Sequence, residues 1–167
     1  NSTVIEGTIY FWTHNTEIGV GTTELGSGLY PYTGNDYASY NASGGTGTAA
    51  TAPGVNNNAP NGFIAAGQGF FAEASSNGTV TFNNTTRVAG NNGLFFRSAN
   101  QSLEKHRVWL NVINSQGAFK QTLVGYIEGA SMEVDNFFDC PTQQSGLMSI
   151  YSMISNNKFL IQGRALP

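Results

Sequence analysis

Charge is the scarcest commodity in this 167-residue sequence. Asp, Glu, Lys and Arg together make up 10% of it, against roughly 25% in an average soluble domain. The seven Lys and Arg residues are scattered, so the electrostatic footprint of a nucleic-acid binder is missing. Cysteine occurs once, as Cys140. A lone thiol makes no internal disulfide, which excludes a disulfide-stapled scaffold. No His or Lys stands near Cys140 in sequence to activate it, so it reads as a small buried side chain rather than a nucleophile. The two histidines, His14 and His106, are 92 positions apart. They form neither a His-x-His nor an HExxH pattern, and no G-x-S-x-G elbow is present. No apolar run approaches the ~18 residues of a membrane helix, so no membrane insertion is expected. No signal peptide opens the sequence.

In place of charge there is Asn, Thr, Ser and Gly, the last at 21 copies, with aromatics at 12%. Small polar residues suit turns; Thr, Tyr, Phe and Val suit strands. The alternating segments follow that logic. VIEGTIYFWTH (4–14) reads as a strand with aromatics on both faces, hence covered on both sides. HRVWLNVIN (106–114) and FKQTLVGYIE (119–128) flank a turn at Ser115-Gln116-Gly117 and read as an antiparallel hairpin, with Val108, Leu110 and Val112 facing the core. Phe63–Ala74 and Thr79–Asn83, joined across Ser76-Asn77-Gly78, read as a second hairpin. A further strand is expected at 94–97, after a Gly90–Gly93 turn, and another at 158–164. Residues 148–154 fit strand or short helix equally. Residues 42–62 lack any period and read as a long surface loop. About eight to ten short strands with turn signals every 8–12 residues define an all-β, antiparallel β-sandwich or jelly-roll-like fold.

Taken in order, GTIYFWTHNT (7–16), NDYASYN (35–41), NGFIAAGQGFF (61–71), HRVWLNVINSQGAF (106–119), QTLVGYIEGA (121–130) and IQGRALP (161–167) resemble a β-rich region of large secreted Bacteroidota proteins, especially flavobacterial ones. There the region precedes a C-terminal sorting domain read by the type IX secretion system. The resemblance implies display at the outer cell surface or release from it, as a structural, adhesive or stalk-like module without catalytic activity. It also implies that 1–167 is a single module excerpted from a longer chain, with other domains of the same polypeptide as its partners. The sorting signal itself is not visible in the sequence.

Two constellations carry candidate chemistry. The acidic stretch containing Glu128, Glu133, Asp135 and Asp139 concentrates oxygen donors of the kind a hard cation such as structural Ca²⁺ takes, without an EF-hand register. Glu133, Asp135 and Asp139 are the candidate metal ligands, with solvated turn-capping carboxylates as the alternative. A paired-carboxylate hydrolase is a remoter reading of the same stretch. The second constellation is Tyr30, Tyr32, Asn35, Asp36, Tyr37 and Tyr40. Sugars stack on aromatic rings and bond to amide and carboxylate groups, so these are candidate ligand-binding residues for surface glycans. They make a carbohydrate-binding accessory module of a secreted hydrolase the alternative function. The other alternative is a self-assembling surface fibre: strands at both limits of the chain either pair within one sandwich, the commoner solution, or are completed by neighbouring sequence or a neighbouring copy, a homo-assembly through strand edges. Asn-x-Ser/Thr sequons at Asn1, Asn41, Asn77, Asn83, Asn84 and Asn100 read as markers of surface turns.

Overall fold

The computed structural model describes residues 4–13, 26–27, 30–31, 34–48, 59–88, 104–115, 119–142 and 148–167. Among them the chain is all-β. The strands are β1 (Ile5–Trp12), β2 (Gly26–Ser27), β3 (Tyr30–Pro31), β4 (Tyr37–Tyr40), β5 (Gly45–Thr46), β6 (Phe71–Ala74), β7 (Lys105–Ile113), β8 (Phe119–Ile127), β9 (Cys140–Pro141), β10 (Ser152–Ile154) and β11 (Asn157–Arg164). The helical content is two single 3-10 turns, Gly34–Asp36 and Asn84–Thr86.

Two sheets form the sandwich. The first runs β5-β4-β1-β6; the second runs β10-β11-β8-β7, with β9 added onto β11. A small β2–β3 ladder stands apart. The β7–β8 hairpin forms as expected and is antiparallel from Lys105↔Ile127 to Ile113↔Phe119; residues 116 and 117 of its turn lie outside the described residues. One pairing departs from an all-antiparallel plan. β11 runs parallel to β8, with Ile161 opposite Leu123 and Arg164 opposite Tyr126. The chain covers the long segment 128–156 between them, the kind of crossover that a parallel pair needs.

The two sheets meet over Tyr10, Leu123, Cys140, Leu160 and Ile161. Phe11 is fully buried on the opposite face of β1, so β1 is covered on both sides as its aromatic pattern predicts. Tyr40 lies on that second face, where a Cβ at Gly62 (φ +93°) would stand 2.7 Å from its Oη. Glycine is required there both by the close approach and by the left-handed backbone.

The face assignment of β7 is a correction. Val108 and Leu110 are 57% and 49% exposed; they and Val112 point away from the core. Lys105, Arg107 and Trp109 turn toward the first sheet, while Ile113 at the end of the strand is 66% exposed. Register decides this: Trp109 sits opposite Leu123, which is fully buried. Phe119 and Ile127 share the Leu123 face and are also buried, and their apolar area outweighs the Val-Leu-Val set on the partner strand. The inward β7 residues are long and amphipathic. Their stems lie along apolar surface while their polar ends find carbonyls: Lys105 Nζ donates to Ala42 O at 2.8 Å and Trp109 Nε1 to Gly45 O at 3.0 Å.

Three further expectations change, and the open question of the terminal strands is decided. The 42–62 loop begins with structure: Ser43, Thr46 and Thr48 are buried and Gly45–Thr46 is β5, while residues 49–58 lie outside the described residues. In the second expected hairpin, Phe71–Ala74 is a strand but 79–83 is not; Asn83 instead caps the Asn84–Thr86 turn by accepting from Thr85 N. The terminal strands are not edges. β1 lies between β4 and β6, and β11 pairs with β8, β9 and β10. Asn41, expected at a surface turn, is 2% exposed. The undecided 148–154 segment contains strand β10. Residues 90–97, Asn1, Asn100 and His14 lie outside the described residues.

Candidate functional site

The acidic segment folds into a clasp between the sheets. Asp135 and Asp139 come together, and their carboxylates receive backbone N–H groups. Asp139 Oδ2 accepts from Asp135 N at 2.7 Å and Asp139 Oδ1 from Gly163 N at 2.9 Å. Asp135 Oδ1 accepts from Phe137 N at 3.0 Å, the local side-chain-to-backbone pattern that Asp favours in turns. The backbone of the segment reaches the first sheet. Gly7 N donates to Asn136 O, Ala42 N to Phe137 O, Ser43 Oγ to Phe138 O and Thr8 Oγ1 to Asp139 O. Gly7 and Gly163 admit it at close range: a Cβ on either would stand 2.5–2.6 Å from Phe137 or Phe138.

Glu133 does not join this pair. It is exposed, and its backbone carbonyl accepts from Ser131 Oγ at 3.1 Å. Glu128, also exposed, pairs its backbone N–H and its carboxylate with Glu104. Among the described residues no three His, Cys, Asp or Glu side chains converge in a group able to hold a metal ion. Burial raises the Asp139 pKa above its ordinary value, with the two backbone N–H groups acting in the opposite sense.

Cys140 follows Asp139 into the core and is fully buried. Its Sγ lies 3.7 Å from Tyr10 Oη. Desolvation pushes the thiol up to about 11, so it is protonated at neutral pH and is a poor nucleophile. His106 makes an exposed 2.8 Å contact with Glu104.

The tyrosine constellation is divided by the sheet. Tyr37 and Tyr40 are three positions apart on β4 and take opposite faces. Burial raises the Tyr40 pKa, partly offset by the positive charge of Arg107. Asp36 is buried, and its carbonyl accepts from both the backbone N–H and Oγ1 of Thr13. Asn35 lies in the 3-10 turn and Tyr30 in β3, paired with Ser27; Tyr32 lies outside the described residues.

Tyr37 takes part in a different assembly. With Tyr10, Phe71, Ala72 and Glu73 it lines an open groove of about 280 Å³. The Tyr37 and Phe71 rings meet edge-to-face, centroids 5.7 Å apart and planes at 83°. Two ladder registers hold them: Phe71 opposite Tyr10, and Tyr37 opposite Trp12. Phe71 and Trp12 are 61% and 41% exposed. Sequence reasoning passed over Phe71 and Glu73. Their alternation in FAEA puts them on one face, but the pairing of β6 with β1 that brings them to Tyr37 spans sixty positions and leaves no local signal.

The architecture defines an all-β sandwich, and among the described residues no helix is long and apolar enough to cross a membrane. The chain belongs to the family described as Domain of unknown function (DUF8693), whose model matches residues 1–167. No curated protein and no solved structure matches it.

Proposed function

We propose that this chain is a non-catalytic extracellular module of a secreted bacterial surface protein, acting as a structural, adhesive or stalk-like unit. The observation that carries the reading is the use made of its acidic segment. Asp135 and Asp139, the most concentrated chemistry in the sequence, bind backbone N–H groups of their own turn and of β11, and the backbone carbonyls of 136–139 accept hydrogen bonds from the first sheet. The thiol that follows them is buried and protonated at neutral pH. A sandwich fastened internally in this way suits a module that must keep its shape outside the cell. Low charge, abundant Asn, Thr and Gly, and the resemblance to type IX-secreted Bacteroidota surface proteins supply the setting.

Disrupting the type IX machinery in the bacterium that encodes the chain tests the reading. The full-length protein should then accumulate inside the cell, while in the parent strain it leaves the periplasm. Export that continues undiminished without that machinery would overturn the assignment to this route.

A further inference from the structure

Three features stand apart from the clasp: the outward apolar face of β7, the buried Lys120, and the aromatic groove on the first sheet. Nothing among the described residues shows what covers the β7 face, and Lys120 is marked out only by its burial and lowered pKa. The groove carries an inference.

We propose that the aromatic face formed by Trp12, Tyr37 and Phe71 is a binding site for a neutral glycan, with one sugar ring seated in the groove beside Glu73. The proposal names a partner for the extracellular module and rests on that reading for its biological setting.

A groove of about 280 Å³ is just below the roughly 300–1,000 Å³ of drug-sized ligand pockets. It suits one ring of a larger molecule whose remainder lies across the surface. Trp12, on the same face and directly across the ladder from Tyr37, supplies that surface. The edge-to-face arrangement of Tyr37 and Phe71 leaves two aromatic walls at nearly a right angle. A pyranose ring presents an apolar C–H face to one such wall and a rim of hydroxyls to whatever borders it.

The border here is Glu73, two residues from Phe71 on the same strand face. An ionised carboxylate offers two oxygens and accepts hydroxyl donors. Charge narrows the ligand further. Among the described residues the groove lining contains a carboxylate and no basic group. Glu6 and Glu73 both act on Tyr10 with the same sign. Uronic and sialylated glycans carry the sign this surface repels, which leaves neutral ones. Two strand pairings fix the backbone that carries the rings, so little backbone ordering is required when a ligand arrives.

The test uses the purified chain on an array of neutral gluco-, xylo-, manno- and chito-oligosaccharides beside acidic oligosaccharides, with choline as a cationic competitor. The best ligand is then titrated calorimetrically. Phe71→Ala and Glu73→Gln alter exposed side chains, so both variants should melt with the wild type; Tyr126→Ala, an exposed tyrosine on the other sheet, is the control. Neutral oligosaccharides should bind. Phe71→Ala should weaken binding by about tenfold, Glu73→Gln should weaken it less, and Tyr126→Ala should leave it unchanged. The proposal is overturned if no neutral oligosaccharide binds, if acidic glycans or choline bind more tightly, or if Phe71→Ala binds like the wild type. All of these are read on isolated protein. A negative result therefore leaves the export experiment standing, and a failed export experiment leaves the binding result standing.

Discussion

Truncating Leu123 and Val108 separately tests how the β7–β8 hairpin is seated. The two residues occupy adjacent strands one ladder step apart, Leu123 opposite Trp109 and Val108 opposite Val124, but they point in opposite directions. Leu123 is fully buried and packs with Tyr10, Cys140 and Ile161. Leu→Ala at such a site loses transfer free energy and leaves a cavity between the sheets, a cost of about 2–5 kcal/mol. For a chain of this size each kcal/mol lowers Tm by roughly 2–4 °C. The expected loss is therefore roughly 4–20 °C. Val108 is 57% exposed; Val108→Ala should cost under about 1 kcal/mol, mostly strand propensity and the cross-strand contact with Val124. Thermal unfolding followed by circular dichroism gives both numbers. If Val108→Ala lowers Tm as far as Leu123→Ala does, the hairpin presents its other face to the core and the sheet packing described above is wrong.

Asp139→Asn leaves one side-chain oxygen where the carboxylate offered two to Asp135 N and Gly163 N, and should cost about 1–3 kcal/mol at neutral pH. Because burial raises the Asp139 pKa in the fold, its contribution to stability is full below the ordinary value of 3.8 and declines as pH rises through the raised value. The Tm–pH curve of Asp139→Asn should lack that decline, and parallel curves would count against the buried carboxyl. Lys120 behaves oppositely. Desolvation lowers it from 10.5 to about 8, so the unfolded chain binds more protons between those values and stability rises with pH across them. Lys120→Met should flatten that rise and increase Tm at pH 7; an unaltered alkaline profile would show that the ammonium is solvated. Cys140, buried with its thiol at about 11, should resist thiol reagents at pH 8 until the chain is denatured, and rapid labelling of the native protein would contradict its placement.

The parts of this fold that could be read from sequence are those governed by neighbours in the chain. Alternation identified β1, the β7–β8 hairpin and β11, and aromatics on both faces of β1 announced its two-sided burial. The inward face of β7 was misread because Val108, Leu110 and Val112 are more apolar than Lys105, Arg107 and Trp109 when counted alone. The deciding quantity lies on β8, where Phe119, Leu123 and Ile127 turn the register. Similarly, the sequence left the carboxylates of 133–139 open between turn caps and cation ligands, because spacing shows how close acids are along the chain, not which N–H groups they face. Gly163 N, which occupies one oxygen of Asp139, is 24 positions away. The tyrosine cluster was compact in sequence and divided in space, since a strand sends Tyr37 and Tyr40 to opposite faces. The groove that keeps Tyr37 was assembled by long-range pairing with Phe71 and Glu73, about which composition and period are silent.

The central claim, that the chain is displayed outside the cell, is tested most directly by protease accessibility on intact bacteria. Cells producing the full-length protein, with an epitope tag next to the module, are treated with proteinase K and compared with lysed cells, using a cytoplasmic protein as the integrity control. The tagged fragment should be lost from intact cells, or recovered from the medium, while the cytoplasmic control survives. Protection of the module in intact cells, with cleavage only after lysis and none in the medium, would contradict the claim.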